Sequence, residues 1–189
     1  MSVPKNKKTV TKPSETKLLY SRCGKTSGHS ILVLYCYHES PRSARNLQFF
    51  LDSTAQDWAE SDECQTRPRL ELVLIINGHW CSVPLPSASN VQVLRTDNSD
   101  HDFGGWADAL EALGIRQGAQ EWKLLFKYFV FINSSCRGPF LPPYAAMLHW
   151  TDPFTSKITE QVKLVGPSII FIPGLSQCWC TLYWLLSRF

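Results

Sequence analysis

Residues 127–144 read KYFVFINSSCRGPFLPPY, and the abrupt change of character within them decides the predicted fold. Tyr128 to Ile132 is a continuous run of β-branched and aromatic residues, which is typical of a strand covered on both faces. Asn133, Ser134 and Ser135 follow that run directly. Because ligands of open α/β sheets bind beyond the carboxyl ends of the strands, this polar cluster indicates a binding site at the end of a buried strand.

Three further apolar runs predict strands that would lie beside this one. Each is rich in Ile, Leu and Val and is bounded by polar residues, as expected of strands in a sheet. A fifth, weaker run covers Val162–Val165, with Ser168–Ile172 as a candidate continuation. The three strong runs are Ile31–Tyr37, Glu71–Ile76 and Val91–Arg95.

Two amphipathic segments predict helices between these strands. In the first, over residues 41–58, Ser40 can cap the amino end and Pro41 suits the first turn, where no backbone donor is needed. The second, over residues 103–113, would begin after Asp102 and end at Gly114. The apolar stripes are predicted at Ala44, Leu47, Leu51, Ala55 and Trp58 in the first helix and at Phe103, Trp106, Ala107, Leu110 and Leu113 in the second.

The order strand–helix–strand–strand–helix–strand predicts a three-layer α/β/α domain with a mostly parallel sheet. We expect this domain over residues 29–168, after a disordered basic tail at residues 1–28. Residues 169–189 form a divergent apolar segment. Pro173 and Gly174 interrupt it, so a transmembrane helix is not expected.

Charge and cysteine content exclude several classes of protein. The net charge is only +3, and lysines of the N-terminal tail contribute much of it, so a nucleic-acid partner is not indicated. Seven cysteines without framework spacing, together with the lack of a visible signal peptide, predict a cytoplasmic protein with free thiols. Cys178 and Cys180 lack a second ligand pair, so structural zinc is not expected. Cys23–Ser27 (CGKTS) does not form a phosphate loop, because Leu19 stands where that motif requires glycine.

Polar side chains also follow the other three strong strands. Glu39 comes after the first strand, Asn77 after the second and Asp97 after the third. Because the carboxyl ends of parallel strands meet at one edge of a sheet, these side chains are expected to converge with Asn133–Ser135 into one binding site.

Asp102 has two interpretations. As the residue before the second predicted helix it can serve as the N-cap, a contribution of about 0.5–2 kcal/mol. Gly104 and Gly105 follow it and would let the backbone approach a ligand closely. The carboxylate of Asp102 could then also accept hydrogen bonds from ribose or sugar hydroxyls. Capping alone and capping combined with binding both remain open.

Arg137 also has two interpretations. In the turn Arg137-Gly138-Pro139 its guanidinium could pair with a diphosphate through charge-assisted hydrogen bonds of about 1.5–3 kcal/mol each. The same three residues equally suit a solvated surface turn.

Five stretches of the chain occur together in an order that resembles one known family. They are VLYCYHES, LELVLIINGH, RTDNSDHDFGGWADAL, YFVFINSSCRGPFLP and HWTDPFTSKITEQVKLVGPSI. The family pattern has D-F-G opening a helix, then a strand that ends in N-[SD]-S with R-G-P beyond it, which here are Asp102–Gly104, Asn133–Ser135 and Arg137–Pro139. On these motifs the chain resembles a glycosyltransferase-like family of the GT-A type, related to the rhamnan-synthesis F proteins of polysaccharide assembly. The resemblance covers about residues 30–169.

The resemblance implies a GT-A domain that holds a nucleotide-sugar donor over the strand ends and transfers the sugar to a glycan acceptor. Glu39 and Asn77 would lie near the nucleoside, and Asp102 near the ribose or sugar. Asn133–Ser135 would occupy the place in which many such enzymes carry a D-x-D metal motif. An active member would be a hexosyl- or deoxyhexosyltransferase, for which the family also suggests a Golgi or membrane-associated location. The donor-binding residues expected on this basis are Glu39, Asn77, Asp97, Asp102, Gly104, Asn133, Ser134, Ser135 and Arg137.

The chain departs from the family pattern in two places. Asn133–Ser135 contains no carboxylate and is a poor ligand set for Mg²⁺ or Mn²⁺, so no divalent cation is assigned. In similar proteins the domain continues beyond the point that matches VKLVGPSI and supplies a general base for the acceptor hydroxyl. After Asp152 only Glu160 is a candidate for that role here, so no catalytic residue is assigned. The alternative function is a non-catalytic α/β interaction or scaffold module derived from such an enzyme.

Overall fold

The four strong predicted strands form the parallel part of a six-stranded sheet. The computed structural model of the protein describes residues 30–58, 68–115, 126–167, 170–171, 178–179 and 183–187. The parallel strands lie in the order β3-β2-β1-β4, which confirms the α/β class. They are β1 (Ser30–His38), β2 (Arg69–Asn77), β3 (Val91–Thr96) and β4 (Tyr128–Asn133).

Beyond β4 the sheet continues with two further strands, each paired antiparallel with its neighbour. β8 (Tyr183–Ser187) pairs antiparallel with β4 on one side and with β5 (Leu164–Val165) on the other. β4 is therefore an interior strand, as predicted, and β5 is a shorter form of the predicted fifth strand. A separate antiparallel pair joins β6 (Ile170–Phe171) to β7 (Cys178–Trp179). Residues 168, 169 and 172 of the predicted continuation lie outside the described residues.

Helix α1 (Pro41–Ser53) follows β1 and begins as predicted. Ser40 is the N-cap, and its Oγ accepts a hydrogen bond from the Ser43 N–H at 3.1 Å. This bond satisfies one of the backbone donors that have no partner within the first turn of a helix.

The same helix ends earlier than predicted. The Oγ1 of Thr54 donates to the carbonyl of Phe50 at 2.6 Å and accepts from the Trp58 indole at 2.8 Å. A 3₁₀ turn at Ala55–Asp57 follows. Ala55 is consequently exposed, and its place in the predicted buried stripe is wrong.

Helix α2 (His101–Ala112) begins earlier than predicted. The Gly104 N–H donates to the carbonyl of Asp100 at 3.0 Å, so Asp100 takes the N-cap position. Asp102 therefore lies inside the first turn, and its interpretation as the N-cap is wrong. Phe103 is 63% exposed, so the predicted apolar stripe is also wrong at that position. The buried face consists of Gly105, Trp106 and Ala109.

The two helices cover opposite faces of the sheet. Leu47 and Phe50 of α1 lie in one core cluster with Val33 of β1. Trp106 of α2 lies in another cluster with Leu34, the next residue of β1. Because successive side chains of a strand point to opposite faces, this alternation gives the three-layer α/β/α arrangement.

Two glycines fix the position of α2. A Cβ on Gly105 would lie 2.9 Å from Asn77 Oδ1 and 2.9 Å from Cys36 Sγ, so the missing side chain allows the helix to approach the sheet closely. Gly114 has a φ of 71° and ends the helix in the left-handed conformation, as predicted.

A buried polar link ties the segment after β4 to the amino ends of the strands. The carboxylate of Asp57, just after α1, accepts from the Trp150 indole at 2.9 Å and lies 3.1 Å from His149 Nε2. Its backbone carbonyl accepts from Asn90 Nδ2 at 2.8 Å, directly before β3. A short helix α3 (Asp152–Thr155) follows the link. This cluster lies at the end of the sheet opposite the polar carboxyl ends of the strands.

Candidate functional site

The carboxyl ends of β1 and β4 meet where the strand order reverses. β1 leads through α1 to β2 on one side, and β4 lies on its other side. The two helices cover opposite faces of the sheet at this point. In open α/β sheets such a reversal leaves a crevice beyond the strands, which is the usual place for a ligand.

Ser134 joins the ends of the two strands. Its N–H donates to the carbonyl of Cys36 at 2.9 Å, and its Oγ accepts from the His38 N–H at 3.4 Å. Its carbonyl accepts from Asn46 Nδ2 of α1 at 3.0 Å. Ser134 is itself buried, so these bonds hold the floor of the crevice together.

Asn133 and Ser135 form a tight turn on that floor. Asn133 Oδ1 accepts from the Ser135 N–H at 3.2 Å and from the Cys136 thiol at 3.1 Å. Ser135 is exposed, and Asn133 is partly exposed. The Ser135 Oγ also donates to Asn133 Oδ1, at 2.5 Å. The turn therefore offers a ligand the Asn133 amide N–H groups as donors and the Ser135 hydroxyl oxygen as an acceptor, whereas Asn133 Oδ1 is already used within the chain.

Asp102 lies beside two buried thiols. Burial raises the pKa of Cys36, and the nearby Asp102 carboxylate, which also hydrogen-bonds the thiol, raises it further. Burial likewise raises the pKa of Cys136 to about 11, and the charge of Asp102 adds to the effect. Since Cys36 belongs to β1 and Cys136 follows β4, Asp102 is near the ends of both strands. Its carboxylate is only partly buried.

Asn77 lies beneath the site rather than on its surface. Its side chain is 2% exposed. Its Nδ2 donates to Cys36 Sγ and to the His101 carbonyl, each at 3.1 Å, and its Oδ1 accepts from Thr96 Oγ1. The observed bonds of Asn77 thus tie the ends of three strands to the start of α2.

Glu39 fastens the loop between β2 and β3 to the end of β1. Its carboxylate accepts from the Ser82 N–H at 2.8 Å, the Ser82 Oγ at 2.9 Å and the Tyr37 hydroxyl at 2.7 Å. Its limited burial opposes ionisation, but the bonds from Tyr37 and Ser82 outweigh that effect and lower the pKa of Glu39. The carboxylate is therefore ionised at neutral pH and largely occupied by the chain's own donors.

The three remaining predicted residues lie around this centre. The exposed Asp97 accepts from the Ser99 N–H at 3.0 Å, within the loop after β3. Gly104 lies in the first turn of α2, partly exposed. Arg137 is exposed, and its guanidinium carbon lies 4.4 Å from the centroid of the Phe49 ring of α1. The Arg137 guanidinium thus lies against the side of α1.

Two residues at this edge were absent from the predicted site. His38 is exposed, and its Nδ1 lies 2.9 Å from the Asn77 carbonyl. If Nδ1 donates in that bond, the neutral ring presents Nε2 as an acceptor. Arg42, in the first turn of α1, acts by its charge on Cys136. Both residues stand in sequence directly beside the end of β1, but only the pairing of β1 with β4 indicates that this end lies at the crevice.

The residues at the end of β4 do not fit a divalent cation. Asn133, Ser134 and Ser135 are all neutral, Ser134 is buried, and the Asn133 carbonyl oxygen accepts bonds from its neighbours. Mg²⁺ and Mn²⁺ prefer carboxylate oxygens. In the part of the chain that the structure describes, no cluster of three or more His, Cys, Asp or Glu side chains could hold a metal ion.

Comparison with known proteins gave no match: no family model, no curated protein and no solved structure matches this chain. The described helices also include none with the length and apolar character needed to cross a membrane. The GT-A resemblance therefore depends on the sequence motifs alone.

Proposed function

We propose that this protein is a glycosyltransferase-like protein of the GT-A type, which binds a nucleotide-sugar donor at the carboxyl ends of β1 and β4. The observation that carries the proposal is the reversal of strand order between β1 and β4, with Asp102, Asn133 and Ser135 near the ends of these strands. Asp102 belongs to the first of the three motifs on which the resemblance is based, and Asn133 and Ser135 belong to the second. The acceptor would be a glycan.

The side chains of the crevice suit the two uncharged parts of such a donor. The Asp102 carboxylate would accept hydrogen bonds from ribose or sugar hydroxyls, and Asn133 and Ser135 would donate to and accept from the same groups. Asn77 and Ser134, which are buried and bonded within the chain, would position the others. The exposed ring of His38 would form a hydrogen bond with an acceptor hydroxyl at the same edge of the sheet.

Calorimetric titration of the full chain with UDP, GDP, ADP and CDP tests the proposal. We expect saturable heat for at least one of them, and competition by the corresponding nucleotide sugar. Ser135→Ala, which removes the exposed hydroxyl of the crevice, should weaken that binding. Ser53→Ala, at the far end of α1, should leave it unchanged. Lack of saturable binding for all four nucleotides in the parent protein would refute the proposal.

A non-catalytic interaction module is the second candidate, and one surface favours it. Phe140, Tyr144 and Met147, in the segment after Arg137, are 66%, 91% and 97% exposed. Large apolar side chains exposed close together in sequence are typical of protein-binding surfaces. A scaffold of this kind would give no saturable heat in the nucleotide titrations, so the same experiment separates the two candidates.

A further inference from the structure

Three exposed arginines lie where α1 begins and where the chain leaves β4. Arg42 and Arg45 are on the first half of α1, and Arg137 is in the turn after β4. Among the described residues none of the three forms an ion pair. A cation in the first turn of a helix is disfavoured by roughly 0.3–1 kcal/mol. Helix stability therefore does not account for Arg42.

Three relations place these arginines near one another. The charge of Arg42 acts on the thiol of Cys136, the residue that precedes Arg137. The guanidinium of Arg137 lies over the Phe49 ring of α1. Arg45 precedes Phe49 by one helical turn, so the two residues are neighbours on the helix surface. The three arginines thus lie along one side of α1, with Arg42 at the end of the helix near Cys136.

The Arg137 guanidinium is held in place by aromatic side chains. Phe49, on which it stacks, also contacts Phe140, with ring centroids 5.0 Å apart. Stacking uses the face of a guanidinium and leaves the N–H groups in its plane free to donate. A phosphate could accept two of these N–H groups at once without first ordering the side chain.

The charges of Asp102 and Arg42 act in opposite directions on one thiol, that of Cys136. The negative charge of Asp102 raises the pKa of Cys136, whereas the positive charge of Arg42 lowers it. Cys136 is therefore within electrostatic range of both Asp102 and Arg42. Sugar and ribose hydroxyls suit the carboxylate, and the phosphates suit the arginines.

We infer that Arg42, Arg45 and Arg137 bind the diphosphate of the donor and supply the positive charge that a divalent cation supplies in many other diphosphate sites. The inference rests on the proposed function for the identity of the ligand. It follows from the grouping of the three arginines and from the poor fit of Asn133–Ser135 to a cation. Binding should therefore require the arginines and should not require a metal.

The test is calorimetric titration of the full chain with inorganic pyrophosphate and with the nucleoside diphosphates, each in EDTA and each in excess Mg²⁺. The triple variant Arg42→Gln, Arg45→Gln, Arg137→Gln is expected to lose about a hundredfold or more in affinity for both kinds of ligand. Arg95→Gln, which removes an exposed arginine at the end of β3, is the matched control and should bind as the parent does. Arg137→Lys should recover only part of the affinity lost in Arg137→Gln, because lysine keeps the charge but lacks the fork of donors.

The outcomes separate this inference from the proposed function. Binding of pyrophosphate and of a nucleoside diphosphate in EDTA, lost in the triple variant, supports both. Equal nucleoside diphosphate affinity in parent and triple variant, or binding only with Mg²⁺, overturns the inference and leaves the proposed function standing. Arginine-dependent binding of pyrophosphate without any added affinity from a nucleoside supports the anion site and overturns the nucleotide assignment. No binding of either ligand overturns both. Thermal unfolding of each variant should match that of the parent and checks that a loss of binding is not a loss of fold.

Discussion

Asp102 lies in the first turn of α2, where its charge interacts favourably with the helix dipole and its carboxylate contacts the Cys36 thiol. Because Asp100 occupies the N-cap position, the structural roles of Asp102 among the described residues are the dipole interaction and this thiol contact. An asparagine carbonyl could still accept from the thiol. The contribution of Asp102 to stability is therefore small, and a larger effect on binding would reveal a ligand contact.

We predict that Asp102→Asn lowers donor affinity about ten- to a hundredfold, because a charge-assisted acceptor is lost and the new amide presents donors in its place. Stability should fall by no more than about 0.3–1 kcal/mol, the usual contribution of a carboxylate near a helix amino end. Calorimetric titration and urea unfolding at the same pH and salt measure the two effects. Equal affinity in the Asp102→Asn variant and the parent would limit Asp102 to its structural role.

The buried thiols predict a loss of stability in alkaline solution. Burial raises the pKa of Cys136 from 9.0 to about 11, so the folded state keeps a proton that the unfolded state releases. The resulting stabilisation is fully present below pH 9.0 and is lost as the pH rises toward about 11. We expect the free energy of unfolding, measured with urea under reducing conditions, to fall over this range.

Cys136→Ala provides the control for that prediction. Above pH 9.0 the free energy of unfolding of the variant should fall less steeply with pH than that of the parent. Between neutral pH and pH 9.0 the two plots of this free energy against pH should run parallel. Cys36 and Tyr37, whose pKa values burial also raises, would still contribute to the remaining slope. An unchanged slope in Cys136→Ala would contradict the assignment of this titration to Cys136.

At the scale of elements, the contact of α2 with the sheet places Asp102 near the strand ends. Gly105 allows this contact, because a Cβ there would meet Asn77, Cys36 and, at 3.1 Å, Ile75 Cγ2. Asn77 and Cys36 are themselves bonded to each other beneath the site. A side chain at position 105 would therefore push α2 away from the very residues that position the crevice.

We predict that Gly105→Ala destabilises the fold by about 1–3 kcal/mol, as overpacking in a core does, although alanine favours a helix. Donor affinity should fall as well, since Asp102 moves with the helix. In the double variant Gly105→Ala, Cys36→Ala the sulfur that the new methyl group meets is gone. Its loss of stability in urea unfolding should be smaller than the sum of the single losses. Additive losses would show that the methyl group does not meet Cys36.

The sequence predicts the elements of this fold better than their ends and partners. Continuous runs of β-branched, leucine and aromatic residues locate the buried strands β1, β2 and β4. β3 is an alternating, partly exposed strand at the end of the strand order. The end of α1 depends on hydrogen bonds of the Thr54 side chain, and the start of α2 depends on a backbone bond to Asp100. Apolar periodicity does not reveal such bonds. β8 pairs with β4 across a large sequence separation, so no local pattern identifies it.

The same limit applies to the predicted site. Polar residues at strand ends are visible in the sequence, but their separation into exposed and buried ones depends on tertiary contacts. Ser134 and Asn77 are buried through bonds to distant elements. Arg42 and His38 join the site only because β1 and β4 are neighbours.

At the scale of the whole molecule, the two ends of the sheet have different roles. At the carboxyl end Asn133 is partly exposed and Ser135 is exposed, whereas Asp57 and His149 at the amino end have side chains only 6% and 9% exposed. Bonds between buried groups contribute to stability, and partly exposed groups remain available to a ligand. Substitutions at the carboxyl end should therefore change ligand affinity, and substitutions at the amino end should change the free energy of unfolding.

We predict that Asp57→Ala lowers the free energy of unfolding and leaves donor affinity unchanged. Removal of the carboxylate leaves the Trp150 indole and the His149 ring without their partner, at a cost of about 1–3 kcal/mol for each buried group. Asp52→Ala is the matched control, since Asp52 is exposed and, within the described part of the chain, accepts from the Gln48 side chain of the same helix alone. Its effect should stay within about 0.5 kcal/mol. Urea unfolding measures the first quantity, and titration with pyrophosphate or a nucleoside diphosphate, under conditions in which the variant is fully folded, measures the second. A folded Asp57→Ala protein with weakened binding would show that the link at the amino end also shapes the crevice, and the two ends of the sheet would then not be independent.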